Sequence, residues 1–218
     1  MRIHLKTSKN DALVPFNYHE GLVSAFHKWL GLNIIHDHIS LYSLSWLNGG
    51  AAQKAGLNFY NGASWFISAH DLSILKQIIQ GINKDPYIKY GMAVEEIVIQ
   101  EEPSFKNQEK FILASPAFIK RTIEDRIKYF LYDDPSSSDL LTETFRHKLQ
   151  KAALPYEEAR VDFDITYSNP TTKLITYKGI KCKASLCPVI ISGSPQQIAF
   201  AWNVGIGNST GIGFGALK

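Results

Sequence analysis

The chain has 218 residues, 45% of them hydrophobic and 20% charged, with a formal net charge of +3. Those proportions belong to a globular protein with ample material for a core, and the length suits one large domain or two of about 100 residues each. No apolar run approaches the ~18 residues of a membrane span, and the opening Met-Arg-Ile-His-Leu-Lys alternates like a strand where a signal peptide would be continuously apolar, so a cytoplasmic protein without membrane contact is expected.

A first strand is expected over 2–6, with Ile3 and Leu5 on one face. A helix follows over 18–30, where Leu22, Ala25, Phe26, Trp29 and Leu30 form one stripe and Gly31 is a natural stop. Strands are expected over 40–47 and, after the Asn61-Gly62 turn, over 63–68. Leu72, Leu75, Ile78 and Ile79 repeat at helical spacing over 72–82, and 92–101 and 110–114 return to strand. The first half thus reads β-α-β-β-α-β. In the second half, 117–120 and 127–132 are strand-like, 140–153 is helical and 161–167 alternates. A long strand or hairpin over 173–192, a short helix over 195–202 and a closing strand over 212–217 complete it. Two copies of the split βαβ order predict an α+β chain of two tandem ferredoxin-like domains, 1–114 and 115–218. Cys182 and Cys187 are the only cysteines. Their odd spacing in a strand points them to opposite faces, against a mutual disulfide, and a zinc site would need more ligands nearby.

Charge is unevenly placed. After Asp164 the chain has no acidic residue, while Lys173, Lys178, Lys181, Lys183 and Lys218 follow. Such a stretch is either a polyanion footprint or a strand kept soluble by its lysines. It leads into Val204-Gly-Ile-Gly-Asn-Ser-Thr-Gly-Ile-Gly-Phe-Gly215, a run that permits φ > 0 and close backbone approach. A dinucleotide fingerprint would open a helix and a P-loop would need a Gly-Lys-Ser/Thr, and neither follows here. Close packing of the chain on itself is the other reading of the run.

Of seven histidines, three are close in sequence: His27, His36 and His38. His27 lies roughly 100° from Phe26 around the helix, off the apolar stripe, and His36 and His38 share a parity in the connection that follows. Imidazoles in such a cluster can act as general base and general acid in phosphoryl transfer without a metal, and RNA suits this because its 2′-hydroxyl is an internal nucleophile. Tyr42 is either a catalytic phenol or a strand aromatic. His4, His19, His70 and His147 read as structural.

Together these features resemble the CRISPR-associated endoribonuclease family Cas6, a branch of the RAMP proteins. The C-terminal glycine run carries the resemblance, with support from Val14-Pro-Phe-Asn-Tyr-His, Leu41-Tyr-Ser-Leu-Ser-Trp-Leu, Ala63-Ser-Trp-Phe-Ile-Ser and Phe111-Ile-Leu-Ala-Ser-Pro in order along the chain. The resemblance implies cleavage of precursor CRISPR repeat RNA without metal or other cofactor, leaving 5′-hydroxyl and 2′,3′-cyclic phosphate ends. It implies a catalytic set drawn from His27, His36, His38 and Tyr42. RNA contacts are expected from Lys28, Lys173, Lys178, Lys181 and Lys183 and from Gly205, Gly207, Gly211 and Gly213. Some members supply a lysine where this chain has Ser40, and Lys28 or Lys54 would have to replace it. Other effector subunits and a second copy of the chain are further partners that the resemblance implies. The alternative is a RAMP subunit that holds repeat RNA, or docks in an effector complex, without cutting.

Overall fold

The computed structural model describes residues 1–31 and 39–218. The first half runs β1 (Arg2–Thr7), α1 (His19–Leu30), β2 (Tyr42–Leu44), β3 (Ala51–Gln53), β4 (Gly56–Asn58), β5 (Ser64–Ala69), α2 (Leu72–Lys84) and β6 (Val94–Gln100). Its sheet has the order β2-β5-β1-β6, with each neighbouring pair antiparallel. This is the order that the split βαβ pattern requires, with β3 and β4 as a hairpin inserted between the second and third strands of the frame. Period-2 alternation sorts β1: Ile3 and Leu5 join the core under α1 and α2, while Arg2 and His4 belong to the opposite face. The α1 stripe expected from the sequence is buried in that core.

The second half runs β7 (Gln108–Phe111), β8 (Lys120–Ile123), β9 (Arg126–Tyr129), α3 (Ser137–Lys151), β10 (Arg160–Phe163), β11 (Thr171–Tyr177), β12 (Ile180–Leu186), β13 (Val189–Ser192) and α4 (Pro195–Val204). Its sheet has the order β10-β13-β7, extended by an antiparallel bridge between Leu113 and Leu217. The same frame is therefore drawn twice, and the β11–β12 hairpin occupies the slot that β3–β4 fills in the first half. Among the described residues, no helix is long and apolar enough to cross a membrane.

Two sequence expectations are corrected. The strand expected over 110–114 pairs with β13, so it opens the second sheet and does not close the first. Alternation reveals a strand but not the strand that receives its hydrogen bonds. The closing strand expected over 212–217 shrinks to the Leu217 bridge, because a 3-10 turn takes Thr210–Ile212 and Gly213 and Gly215 hold positive φ. Cys182 and Cys187 are both free and buried.

The two halves meet along a polar and aromatic seam. The Arg2 guanidinium lies between the rings of Phe66 (3.8 Å) and Trp202 (3.9 Å) and donates to the carbonyls of Trp202 (3.1 Å) and Leu217 (2.7 Å). On the far side, Lys148 of α3 is only 2% exposed. Its Nζ donates to the carbonyls of Val204 (3.1 Å) and Gly205 (3.4 Å) and to Thr210 Oγ1 (2.9 Å). Thr210 Oγ1 in turn donates to the Tyr42 carbonyl at 2.9 Å, so one chain of bonds joins α3, the glycine run and β2. The run also closes on itself: Ile206 N donates to Gly215 O (2.9 Å), and a Cβ on Gly215 would overlap the Ile206 carbonyl oxygen.

Gly179 and Gly215 have similar positive φ, +77° and +62°, but only Gly215 is crowded. Gly179→Ala should cost about 1–2 kcal/mol for the left-handed backbone alone, and Gly215→Ala more than about 3 kcal/mol, both read from urea unfolding. Equal losses would contradict the close approach. Burial pulls the Lys148 amine down to about 7. An unfolded lysine keeps its proton to about 10.4, so between these values the unfolded chain binds the extra proton and stability rises with pH. Relative to Lys148→Met, the native chain should gain up to about 1.4 kcal/mol per pH unit across that window. Parallel stability curves from pH 7 to 10 would show that the amine is not desolvated as described.

Candidate functional site

The glycines are filled in from the chain itself. A Cβ on Gly211 would meet Ser40 Oγ (2.5 Å) and Tyr42 Oη (2.8 Å), and one on Gly213 would meet His19 Cδ2 (3.3 Å). A Cβ on Gly207 would lie 2.6 Å from the Phe118 carbonyl oxygen, and one on Gly205 2.6 Å from that of Gly215. All four are buried. Tyr42 is buried beneath them, with its ring stacked on Phe26 at 4.7 Å and 16°. Burial raises its pKa, against a hydrogen bond from Ser40, so the phenol stays protonated and can donate.

His27 is half-buried near the end of α1 and meets Phe26 edge-on at 5.1 Å and 84°. Phe26 therefore touches both His27 and Tyr42. His36 and His38 lie outside the described residues. Lys28 is committed elsewhere: its Nζ bonds Asp85 Oδ2 at 2.8 Å and the Tyr87 carbonyl, pinning α1 to the end of α2. That hydrogen bond also holds the Asp85 carboxyl below its usual range. Lys54 is exposed at the β3–β4 turn.

The lysines of the acid-free tail sit on the β11–β12 hairpin. The register Leu174↔Lys183 and Thr176↔Lys181 sets Lys181 and Lys183 on one face. The other face carries Ile175, Cys182 and Ala184, which pack with Phe118 and with Phe214 of the glycine run. Lys173 follows the parity of Ile175, at the open end of that inner face. Lys178 is at the turn, with φ +46°, and its backbone N donates to Glu20 Oε1 at 2.6 Å. The four lysines are exposed, and among the described residues their ammonium groups enter no ion pair. The hairpin is thus docked on the glycine run by its inner face and leaned on α1 at its turn, with two cations turned outward.

Sequence reasoning passed over His19. It is 4% exposed, stacks on Tyr18 (4.6 Å, 14°) and meets Trp46 edge-on (5.1 Å, 63°). Both ring nitrogens are buried, and among the described residues neither has a hydrogen-bond partner. A buried polar atom left so costs about 1–3 kcal/mol, which singles the residue out. Burial pulls its pKa to about 4, so the ring is neutral. A helix-opening histidine carries no sequence mark of this kind, since the deficit arises only when Tyr18, Trp46 and Gly213 close around it. Among the described residues, no three His, Cys, Asp or Glu side chains come together as a metal-ligand set.

Residues 100–218, which include the second sheet and the glycine run, match the family model for the C-terminal part of CRISPR-associated protein Cas6. Over the whole chain the sequence is 25% identical to a Pyrococcus furiosus protein whose name calls it a CRISPR-associated endoribonuclease-like protein Cas6, covering 98% of that relative. It is 22% identical to a Methanocaldococcus jannaschii protein named CRISPR-associated endoribonuclease Cas6 1, covering 92% of it. A solved structure described as a RAMP protein binding different RNA substrates superposes with a TM-score of 0.82 at 20% identity, over all of this chain and 98% of the other. The doubled ferredoxin-like frame, the glycine run sealed into its seam and the match over more than half of the sequence agree: the chain belongs to the Cas6 family.

Proposed function

We propose that the protein binds CRISPR repeat RNA and cleaves the precursor transcript without a metal ion, by attack of the 2′-hydroxyl next to the scissile phosphate. The observation that carries the RNA part is the hairpin, which turns Lys181 and Lys183 outward from a base fixed to the glycine run. A row of cations free of carboxylates and held on a rigid arm suits a phosphate backbone. Family membership supports the choice of RNA, as do the names of the two relatives.

The chemistry is assigned to the end of α1. His27 orients or deprotonates the 2′-hydroxyl, and a histidine of the following connection, His36 or His38, protonates the leaving 5′-oxygen. Atoms balance in this step: the 2′-oxygen bonds phosphorus, the P–O5′ bond breaks, and the proton lost at the 2′-oxygen is matched by the one gained at the 5′-oxygen. Tyr42 is assigned to the floor of the site, where its protonated phenol fixes Ser40 under Gly211. Gly205, Gly207, Gly211 and Gly213 shape that floor, and RNA contact along the run falls to the part-exposed Asn208 and Ser209. We place the division between the two domains at 101–107, between the last strand of one sheet and the first of the next.

A second reading has its own observation. Lys28 is paired with Asp85 and Ser40 stands where some relatives have lysine, so the described part of the site supplies no cation for the phosphate. In that reading the protein holds repeat RNA without cutting it.

Incubation with the repeat RNA of its own genome, in EDTA, beside a substrate with a 2′-deoxy sugar at the cut site, separates the two. A single cut that survives EDTA and disappears with the deoxy sugar is expected. His27→Ala should slow that cut by about 10²–10⁴-fold with little change in affinity. Unchanged cutting would remove His27 from the chemistry, and binding without any cut by the native protein would leave the second reading. Lys181→Ala with Lys183→Ala should lower the slope of log K against log[salt] by about 1.4, as loss of two phosphate contacts to single-stranded RNA requires. An unaltered slope would move the phosphate path off the hairpin.

A further inference from the structure

The β11–β12 hairpin carries more than its outward lysines. Tyr177 is the last residue of β11, and alternation sets it on the inner face with Ile175. It is half-buried and packs, with Ile212 of the glycine run, on the core of the first half. The turn that follows is fixed by the bond from Lys178 N to Glu20, so the end of the strand is held against α1. Along that helix Glu20, Ser24 and His27 share one stripe at helical spacing, and none of the three is buried. The 3-10 turn Thr210–Ile212 packs on the same helix. The open stripe of α1 therefore begins at the hairpin turn and ends at the assigned base.

The phenol of Tyr177 feels both ends of this arrangement. Burial, then the Glu20 carboxylate, raise its pKa, and Tyr177 adds to the larger effect of burial on Tyr42. The hydroxyl is thus protonated, near Glu20 on one side and Tyr42 on the other. The Tyr42 hydroxyl is taken by Ser40. That of Tyr177 enters no hydrogen bond among the described residues and, unlike the nitrogens of His19, it is not sealed. We propose that Tyr177 is a further catalytic residue, whose hydroxyl donates a hydrogen bond to a non-bridging oxygen of the scissile phosphate. The inference rests on the cleavage reading above and answers the lack of a cation there. A fixed neutral donor aimed at an oxygen that gains charge in the transition state lowers the barrier without a lysine. Tyr177 keeps its proton throughout, so the balance of the step is unchanged. One hairpin then serves binding and chemistry: lysines on its outer face hold the RNA backbone, the inner phenol meets the phosphate to be cut, and Lys178, exposed at the turn, joins the two faces.

Tyr177→Phe keeps the ring and its packing and removes only the donor. Single-turnover cleavage of the repeat RNA in EDTA, at saturating protein, should slow by about 10²-fold, as loss of one such donor implies, with Kd by fluorescence anisotropy unchanged. A substrate with sulfur in place of one non-bridging oxygen distinguishes a phosphate contact from a structural role, because sulfur accepts hydrogen bonds weakly. One sulfur diastereomer should slow the native protein, and Tyr177→Phe should be indifferent to it. Native-rate cutting by Tyr177→Phe would overturn the assignment and leave the cleavage reading standing. So would a loss confined to affinity, or a sulfur effect that persists undiminished in the variant. Absence of any cut by the native protein would overturn both.

Discussion

The closeness of backbone to backbone in the glycine run is the constraint on which the rest of the molecule depends. Ile206 and Gly215 approach until no side chain fits between them, Gly207 packs less closely on the Phe118 carbonyl, and Gly211 lies against the Tyr42 hydroxyl. Because the run packs at main-chain distance, it can serve both halves at once. Asn208 N and Gly215 N donate to the carbonyls of Phe118 and Pro116, while Thr210 reaches Tyr42 in the first sheet. Glycine is required here less for flexibility than for thinness. The effect is to fix the run, since its bonds reach both halves.

The seam that results is polar where seams between sheets are usually apolar. Arg2 between Phe66 and Trp202, and Lys148 under Val204 and Thr210, are long basic side chains whose donors are met by carbonyls, a hydroxyl and ring faces. Neither has a carboxylate partner among the described residues. Desolvating them is costly, but the geometry of the donors fixes the relation of the halves more narrowly than apolar packing would. Under this narrow relation Phe16 and Lys173, from different halves, line the same opening.

The frame was legible in the sequence because its signals are local. The α1 stripe, the Asn61-Gly62 turn and the Pro195 helix each announce themselves within about one turn of chain. What stayed hidden was set by partners far away. Ala51–Asn58 has neither alternation nor β-branched residues, so its hairpin depends on Val14 pairing with Leu57. The strand at Gln108–Phe111 shows its character but not its sheet. Lys148 reads as one more solvated helix lysine, and His19 as one more helix-opening polar residue, until the fold buries them. The glycines were read correctly as sites of close approach, but a sequence cannot distinguish an approaching ligand from the chain's own carbonyls. Of the proposed catalytic residues, His27 was visible from its place off the stripe, and the structure adds that it and Tyr42 touch the same ring.

Each half keeps a hairpin in the slot between its second and third frame strands, and the two inserts differ sharply: β3–β4 is short with a lone lysine, β11–β12 long and basic. Such a slot separates two kinds of evolutionary change. Substitutions in the frame are constrained by the thin seam, whereas an arm that begins and ends on neighbouring strands can lengthen, shorten or change charge without disturbing it. Recognition can then drift from one lineage to the next while the architecture, and whatever chemistry it holds, is inherited intact.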